Sequence, residues 1–302
     1  MSKLIDVHTH TQFAAYNEDR DAVIRRALDA GMWLINVGTQ RDTSKAAVDL
    51  AHKYEGLPAE ASAKAGVFAT VGLHPIHSEK SFHDLQELGA EGKGEDKGFL
   101  SRGEIFDCNY YKKLAEDPKV VAIGECGLDY YHLTEETKTR QAENFKYHVE
   151  LSSNVKKPLM IHCREAFSDL IALLTEYSAL LNKQPGVCHF FTGSEEDAKK
   201  LLDLGFSFSF GGVITFPLRL AERSRGEAGA SAYEKLVKFI PLDRIVLETD
   251  APYVAPQAYR GKRNEPLYVE EVAKKMGKIL NKDFEEIARI TTENAIRVFG
   301  LK

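Results

Sequence analysis

The sequence predicts an α/β fold, most simply a single (β/α)8 barrel of the TIM type over residues 1–302. Eight short apolar runs, each the length of a buried strand, alternate with segments of helical pattern, and this alternation is typical of a parallel sheet. A chain of 302 residues has the usual size for one such barrel. An open, doubly wound sheet is the alternative, but no glycine-rich nucleotide-binding loop follows any of the runs, so the sequence favours the closed barrel.

The predicted strands are runs rich in Val, Ile and Leu with few turn residues inside them. They cover residues 4–10, 32–37, 67–73, 120–124, 158–161, 186–188, 206–213 and 244–247. Predicted helices show apolar residues at helical spacing, and two begin with capping boxes, Ser194 with Asp197 and Asp283 with Glu286. The helices cover about residues 17–31, 46–54, 135–153, 166–181, a segment after residue 194, 267–280 and 283–299.

Two segments, residues 89–103 and 219–231, break the alternation. The first is rich in Gly, Lys and Glu, and the second is polar and basic. Because both follow strands, they would lie at the active-site end of a barrel, as substrate or lid loops. Solvated insertions without a role are the alternative.

Composition and charge restrict the partners of the chain. No apolar run approaches the roughly 18 residues of a membrane span, and no signal-peptide pattern opens the chain, so we expect a cytoplasmic protein, most simply a monomer. The four cysteines lack Cys-x-x-Cys spacing, and Cys126, Cys163 and Cys188 are expected to be buried thiols facing the helices. Because the net charge is −5, any attraction to nucleic acid must be local.

Imidazole and carboxylate side chains recur where the predicted strands end. Parallel barrels gather their catalytic groups at the carboxyl ends of the strands, so these residues are expected to meet there. For His8 and His10 alone, a pair of hydrogen-bonded core histidines is the alternative. The six candidates are His8, His10, Glu125, His162, His189 and Asp250.

Six such ligands are too many for one tetrahedral ion and suit two divalent ions, Mg²⁺, Mn²⁺ or Zn²⁺. We assign His8, His10 and Asp250 to one ion and His162 with His189 to the other, and Glu125 bridges them. Two ions about 3.5–4 Å apart activate water near neutral pH, so the predicted chemistry is hydrolysis. Glu125 and Asp250 are the predicted catalytic residues, and Asp250 would orient the water or take its proton.

Eight short motifs lie in order along nearly the whole chain: Ile5-Asp6-x-His8-x-His10, Gly72-Leu73-His74-Pro75, Ile123-Gly124-Glu125-Cys126-Gly127-Leu128-Asp129-Tyr130, Pro158-x-x-Ile161-His162-Cys163-Arg164, His189-Phe190-Phe191-Thr192-Gly193-Ser194, Leu247-Glu248-Thr249-Asp250-Ala251-Pro252-Tyr253, Arg260-Gly261-Lys262-Arg263-Asn264-Glu265-Pro266 and Asn294-x-x-Arg297-x-Phe299. With these motifs the chain resembles the TatD-type deoxyribonuclease family of the metal-dependent amidohydrolase superfamily. The resemblance implies a (β/α)8 hydrolase with the same six ligands, acting as a nuclease, often from the 3′ end of DNA. Thr11-Gln12 and the long segment at residues 89–103 depart from the family pattern.

Four further residues are predicted to bind substrate: His74, Arg164, Arg260 and Arg263. His74 could instead donate a hydrogen bond at the barrel rim. Arg164 could clamp a phosphate or pair with Glu125 or Glu248, and Arg263 could form a structural ion pair with Glu265.

Supporting roles are predicted for a buried carboxylate and for the loop after Glu125. Glu248 is expected to support the ligands rather than to bind metal. Asp129, Tyr130 and Tyr131 are expected on a loop, where an aromatic ring could stack a base or pack the rim.

The predicted function is therefore a two-metal deoxyribonuclease whose partner is DNA, as a single strand or a 3′ end. One alternative keeps the hydrolase and changes the bond, as in an esterase or a D-aminoacyl-tRNA deacylase. Another is a non-catalytic scaffold stabilised by metal.

Overall fold

The eight predicted strands form one parallel sheet that is nearly closed into a barrel. The computed structural model describes residues 3–55, 66–79, 82–84, 98–100, 103–131, 135–217 and 230–301. Where the last strand meets the first, Asp250 N–H donates to His8 O at 2.9 Å and His10 N–H donates to Ala251 O at 2.8 Å. The predicted α/β barrel is thus confirmed.

The barrel strands follow the chain in order: β1 (Leu4–Thr9), β2 (Met32–Val37), β3 (Val67–Val71), β6 (Val120–Asp129), β7 (Leu159–Arg164), β8 (Gly186–Cys188), β9 (Ser207–Phe210) and β10 (Ile245–Leu247). Between β3 and β6, β4 (Phe82–Asp84) and β5 (Gly98–Leu100) form an antiparallel pair. This pair was not predicted and falls partly in the segment at residues 89–103. The rest of that segment up to residue 102, and residues 219–229 of the second one, lie outside the described residues.

Nine α-helices lie in the described part of the chain: α1 (Arg20–Asp29), α2 (Arg41–Lys53), α3 (Cys108–Ala115), α4 (Glu135–Val155), α5 (Phe167–Glu176), α6 (Glu195–Asp203), α7 (Ala230–Phe239), α8 (Val269–Leu280) and α9 (Phe284–Phe299). α3 and α7 were not predicted. The capping box of α6 forms in full. At α9 only half forms, because Glu286 accepts from Lys282 instead. None of the described helices is long and apolar enough to cross a membrane.

Two hydrophobic clusters hold the layers together. The larger fills the space between strands and helices and contains the buried thiols of Cys126, Cys163 and Cys188; burial raises the pKa of each thiol, so they are neutral and unreactive. The smaller lies inside the barrel, where Trp33 and Val121 pack with Phe299 at the end of α9. The polar site is left to the opposite, carboxyl end of the strands.

Two strands depart from regular pairing just where site residues occur. In β1, Ile5 and Val7 belong to the barrel interior and Leu4 to the outer cluster, so strict alternation would turn His8 toward the helices. The pairing of β1 with β2 shifts register between Asp6 and Thr9. A second shift, between Ile123 and Cys126, accompanies Glu125 in β6. These irregularities re-aim side chains into the barrel mouth.

His148 of α4 is a buried imidazole that holds the turn before His74. Its Nδ1–H donates to Asn144 O at 2.7 Å, and its Nε2 accepts the Leu73 N–H at 2.9 Å. Burial lowers the pKa of His148 to about 4. The imidazole is therefore neutral at physiological pH, as its acceptor role requires.

We predict that His148 makes the fold sensitive to acid. Its pKa is below the ordinary 6.5, so the unfolded chain binds more protons between those values and stability falls as the pH drops from about 6.5 to 4. His148→Gln keeps an acceptor for the Leu73 N–H but cannot be protonated. Urea denaturation at stepped pH should show the variant losing less stability than the wild type, by up to roughly 3 kcal/mol. Equal losses would contradict the assignment.

Candidate metal centre

Seven titratable side chains converge at the carboxyl ends of six strands. They lie in β1, β3, β6, β7, β8 and β10 or within three residues after them, and all are buried except one, His162, which is partly exposed. The seven are His8, His10, His74, Glu125, His162, His189 and Asp250. The structure thus brings together all six predicted ligands, with His74 beside them.

His8, His10 and Asp250 form the first group. The Nε2 atoms of His8 and His10 lie 3.1 Å apart, and Asp250 Oδ1 lies 3.5 Å from His10 Nε2 and 3.8 Å from His8 Nε2. Atoms that bind one ion at about 2.1 Å lie roughly 3.0–3.4 Å apart at neighbouring corners of an octahedron or a tetrahedron. The two histidine nitrogens fall within this range, and Asp250 Oδ1 lies just beyond it at 3.5 and 3.8 Å, so a small movement of Asp250 would bring all three atoms onto a common cation.

His162 and His189 form the second group around one oxygen of Glu125. Glu125 Oε1 lies 2.8 Å from His189 Nε2 and 3.1 Å from His162 Nδ1, and those nitrogens are 3.3 Å apart. The other oxygen, Oε2, lies 3.4 Å from His8 Nε2 in the first group. Glu125 therefore has one oxygen toward each group, as a carboxylate that bridges two ions must have.

The hydrogen bonds behind two imidazoles fix which nitrogen faces the site. His10 Nδ1 bonds to Val37 O at 2.8 Å, and His162 Nε2 bonds to Asp129 Oδ2 at 2.8 Å. Both partners only accept, and a neutral imidazole carries one N–H. In the neutral form that a cation requires, His10 Nε2 and His162 Nδ1 therefore present lone pairs to the site, which is the arrangement of a metal-binding histidine. Burial lowers the pKa of each ring, but the neighbouring carboxylates outweigh it and raise the pKa of both, so binding of a cation would displace protons.

His74 has the opposite orientation. Its Nδ1 accepts the Ile76 N–H at 3.2 Å, so the proton of the neutral ring lies on Nε2, which is 3.2 Å from Glu125 Oε1. Burial lowers the pKa of His74 to about 4, and the ring is neutral. His74 thus donates a hydrogen bond into the site and does not offer a lone pair to a cation.

Both site carboxylates are ionised. Burial alone would raise the pKa of Glu125 and of Asp250, but the surrounding imidazoles outweigh it and lower both values. Asp250 also has a left-handed backbone, with φ of 56°, a conformation that aspartate tolerates better than most residues. Imidazole nitrogens and carboxylate oxygens form a donor set that fits divalent cations.

Asp129 is a site residue whose role the sequence analysis missed. It was expected on a loop, but β6 continues to Asp129, which pairs in register with Arg164 of β7. Its Oδ2 accepts from His162 and its Oδ1 from the Tyr131 N–H at 3.0 Å. The sequence signal for Asp129 is its position four residues after Glu125, because residues an even number apart on a strand share a face. That signal applies only if β6 continues as far as Asp129.

Two fully buried carboxylates support the ligands from behind. Glu248 accepts the Phe190 N–H at 2.7 Å and the Ser209 hydroxyl at 2.5 Å, and it lies 3.8 Å from His189 Nδ1. Asp6, which we had not singled out, accepts the Thr249 N–H at 2.9 Å. These bonds hold the segments next to His189 and Asp250.

Two of the predicted substrate-binding arginines stand over aromatic rings. The Arg164 guanidinium lies 3.3 Å from the centre of the Tyr131 ring, and no ion pair with Glu125 or Glu248 forms between these described residues. Arg260 lies 5.0 Å from the centre of the Phe216 ring. Their contact with substrate stays a prediction.

Arg263 has protein partners that occupy its guanidinium. It pairs with Asp19 at 2.6 Å, donates to Ala15 O at 2.7 Å and lies 3.7 Å from Glu265. These contacts favour the structural alternative for Arg263, with Asp19 as the main partner instead of Glu265.

The fold and the donor set together define a metal-dependent hydrolase built on a parallel barrel. The family model of TatD-related DNases matches residues 5–300. The chain therefore belongs to the TatD family, and the predicted family and enzyme class are confirmed.

Similar proteins agree with this membership. The chain is 35% identical over 299 residues to the uncharacterized metal-dependent hydrolase YabD of Bacillus subtilis, covering 99% of each chain. It is 33% identical over 299 residues to the 3′-5′ ssDNA/RNA exonuclease TatD of Erwinia billingiae, covering 97% of this chain and 96% of that one. Among solved structures, the Escherichia coli TatD homologue YjjV matches with a TM-score of 0.75 and 25% identity over 99% of both chains.

Proposed function

We propose that this chain hydrolyses phosphodiester bonds and removes nucleotides from the 3′ end of single-stranded DNA, with two divalent ions held at the metal centre. The observation that carries the proposal is the position of Glu125 between two groups of imidazoles, with one oxygen toward each. The Erwinia relatives at 31% and 33% identity, which are named 3′-5′ ssDNA/RNA exonucleases, support the substrate class. The single-domain organisation, the cytoplasmic location and the monomeric state stay predictions.

The six predicted ligands would hold the ions, His8, His10 and Asp250 on one side, His162 and His189 on the other, and Glu125 between them. Two divalent ions lower the pKa of water and offset negative charge on a phosphoryl group. Because Asp250 is ionised and lies at the edge of the first group, it is placed to take a proton from the attacking water. Among the residues that the structure describes, no serine or cysteine lies within the group of metal-binding candidates, which is consistent with direct attack by water.

His74 and two arginines would contact the substrate. The Nε2–H of His74 points into the site and can donate to an oxygen of the scissile phosphate. Arg164 and Arg260 present cations at the barrel mouth, where they can bind neighbouring phosphates. These local contacts would offset the repulsion between the nucleic acid and a chain whose net charge is −5.

The test is a matrix of metals and substrates. The chain is stripped of metal, reloaded with Mg²⁺, Mn²⁺ or Zn²⁺, and given single-stranded and duplex DNA labelled at either end, bis(p-nitrophenyl) phosphate and a D-aminoacyl ester. We expect mononucleotides from the 3′ end of the single strand and no ester turnover. Ester turnover without nucleotide release would favour the deacylase, and no turnover with any metal would favour the scaffold.

A further inference from the structure

Arg164 and Tyr131 form a pair at the barrel mouth whose chemistry the metal centre does not use. The guanidinium carbon lies 3.3 Å from the centre of the tyrosine ring, so the two planes are in contact. Tyr131 is 47% exposed and Arg164 is partly exposed. Within the described part of the chain, no hydrogen bond or ion pair engages the guanidinium.

A second arginine–tyrosine pair shows what a structural pair looks like in this protein. Arg41 lies 4.0 Å from the centre of the Tyr110 ring. Its guanidinium also binds Asp107 Oδ2 at 2.8 Å, and Tyr110 donates its hydroxyl hydrogen to Arg41 O at 3.2 Å. The Arg41–Tyr110 pair thus has hydrogen-bond partners within the fold, whereas the Arg164 guanidinium has none among the residues that the structure describes.

Asp129 ties the Arg164–Tyr131 pair to the metal centre. One oxygen of Asp129 accepts the Tyr131 N–H, and the other accepts from His162. Arg164 lies two residues after His162 on the same strand and therefore on the same face. The pair and the second group of ligands are thus held in a fixed relation by one carboxylate and one strand.

We propose that Arg164 and Tyr131 form a nucleotide subsite, in which the guanidinium edge binds a phosphate and the tyrosine ring stacks on an unpaired base. A cation with free planar N–H groups matches phosphate oxygens, and an exposed aromatic ring matches a base that is not paired. The inference rests on the proposed nuclease function and deepens it. The subsite fits a nucleotide next to the one whose phosphate is cleaved, and it selects single strands over duplex.

The test separates the base from the backbone of the substrate. The holoenzyme is assayed on a single-stranded oligonucleotide and on the same oligonucleotide with abasic residues at its two terminal positions. Tyr131→Leu should lower kcat/KM on the first by roughly 5- to 100-fold, mostly through KM, and should change the second by less than about twofold. Tyr131→Phe keeps the ring and should restore activity, and Arg164→Lys should weaken both substrates. Arg41→Lys and Tyr110→Leu are the matched controls and should behave as wild type.

A binding measurement without turnover completes the test. In EDTA, an oligonucleotide with terminal 2-aminopurine should lose fluorescence on binding the wild type and Tyr131→Phe, but not Tyr131→Leu. Equal losses of activity on both oligonucleotides, or no loss on either, would overturn the subsite while leaving the nuclease in place. If the wild type quenches 2-aminopurine through Tyr131 but cleaves no DNA with any metal, the proposed nuclease function would be contradicted and the nucleotide subsite supported.

Discussion

Glu125→Gln is expected to abolish hydrolysis and to lower the metal content of the protein from the proposed two ions toward one or none. The side chain keeps its size but loses the charge, and its amide N–H₂ must face one of the lone pairs that surround it. Losing one bridging ligand removes several kcal/mol of charge stabilisation in the transition state, which corresponds to about a 10³-fold or larger fall in kcat. Elemental analysis and the oligonucleotide assay, run on one preparation, measure both effects.

The control for Glu125→Gln is Glu293→Gln. Glu293 lies on the surface of α9 and pairs with Arg289 at 3.0 Å, so its neutralisation should cost at most about 1 kcal/mol of stability and no activity. If Glu125→Gln kept two ions and full activity, the bridging role would be wrong and the scaffold alternative would gain support. A change in circular dichroism would show that the fold had failed and not the site.

The fold and the convergence of the six candidate ligands could be predicted because both depend on features that can be read along the sequence. A parallel barrel collects the carboxyl ends of its strands at one face, so residues such as His162 and His189 meet there whatever the details of the loops. The apolar runs are short and well separated, and each marks a strand. Helix α3 was missed because it lies close to the segment at residues 89–103, which has no clear helical pattern.

The direction in which particular side chains point could not be predicted in the same way. Strict alternation from Ile5 and Val7 would turn His8 away from the barrel, and only the register shift after Asp6 brings it into the site. Such a shift depends on the neighbouring strand and leaves no mark in the sequence of β1. The role of Asp129 was hidden because the length of β6 is fixed by pairing with β7.

The ion-pair and hydrogen-bond partners that lie far away along the chain could not be predicted from the sequence either. Glu265 is close to Arg263 in sequence, but Asp19, 244 residues away along the chain, lies nearer in space. The tautomer of His74 depends in the same way on the Ile76 N–H in the turn that follows it. Sequence spacing indicates which chemistry is present, whereas the hydrogen-bond partners decide whether a group donates or accepts.

Asp250→Asn should separate binding of the metal from transfer of the proton. Asparagine keeps Oδ1, which can still face His8 and His10, and it tolerates the left-handed backbone of this position. It cannot take a proton from water, so kcat should fall by roughly 10²- to 10⁴-fold while two ions remain bound at saturating metal.

Asp49→Asn, which neutralises an exposed partner of Lys45 on α2, is the control and should keep both metal and activity. Because the pKa of Asp250 is already lowered by its imidazole neighbours, the wild type has the base in its active form at neutral pH, and the deficit of the variant should not be recovered by raising the pH to 8. Recovery of full activity with excess metal would show that Asp250 is a ligand only, and the proton acceptor would then have to be sought elsewhere in the site.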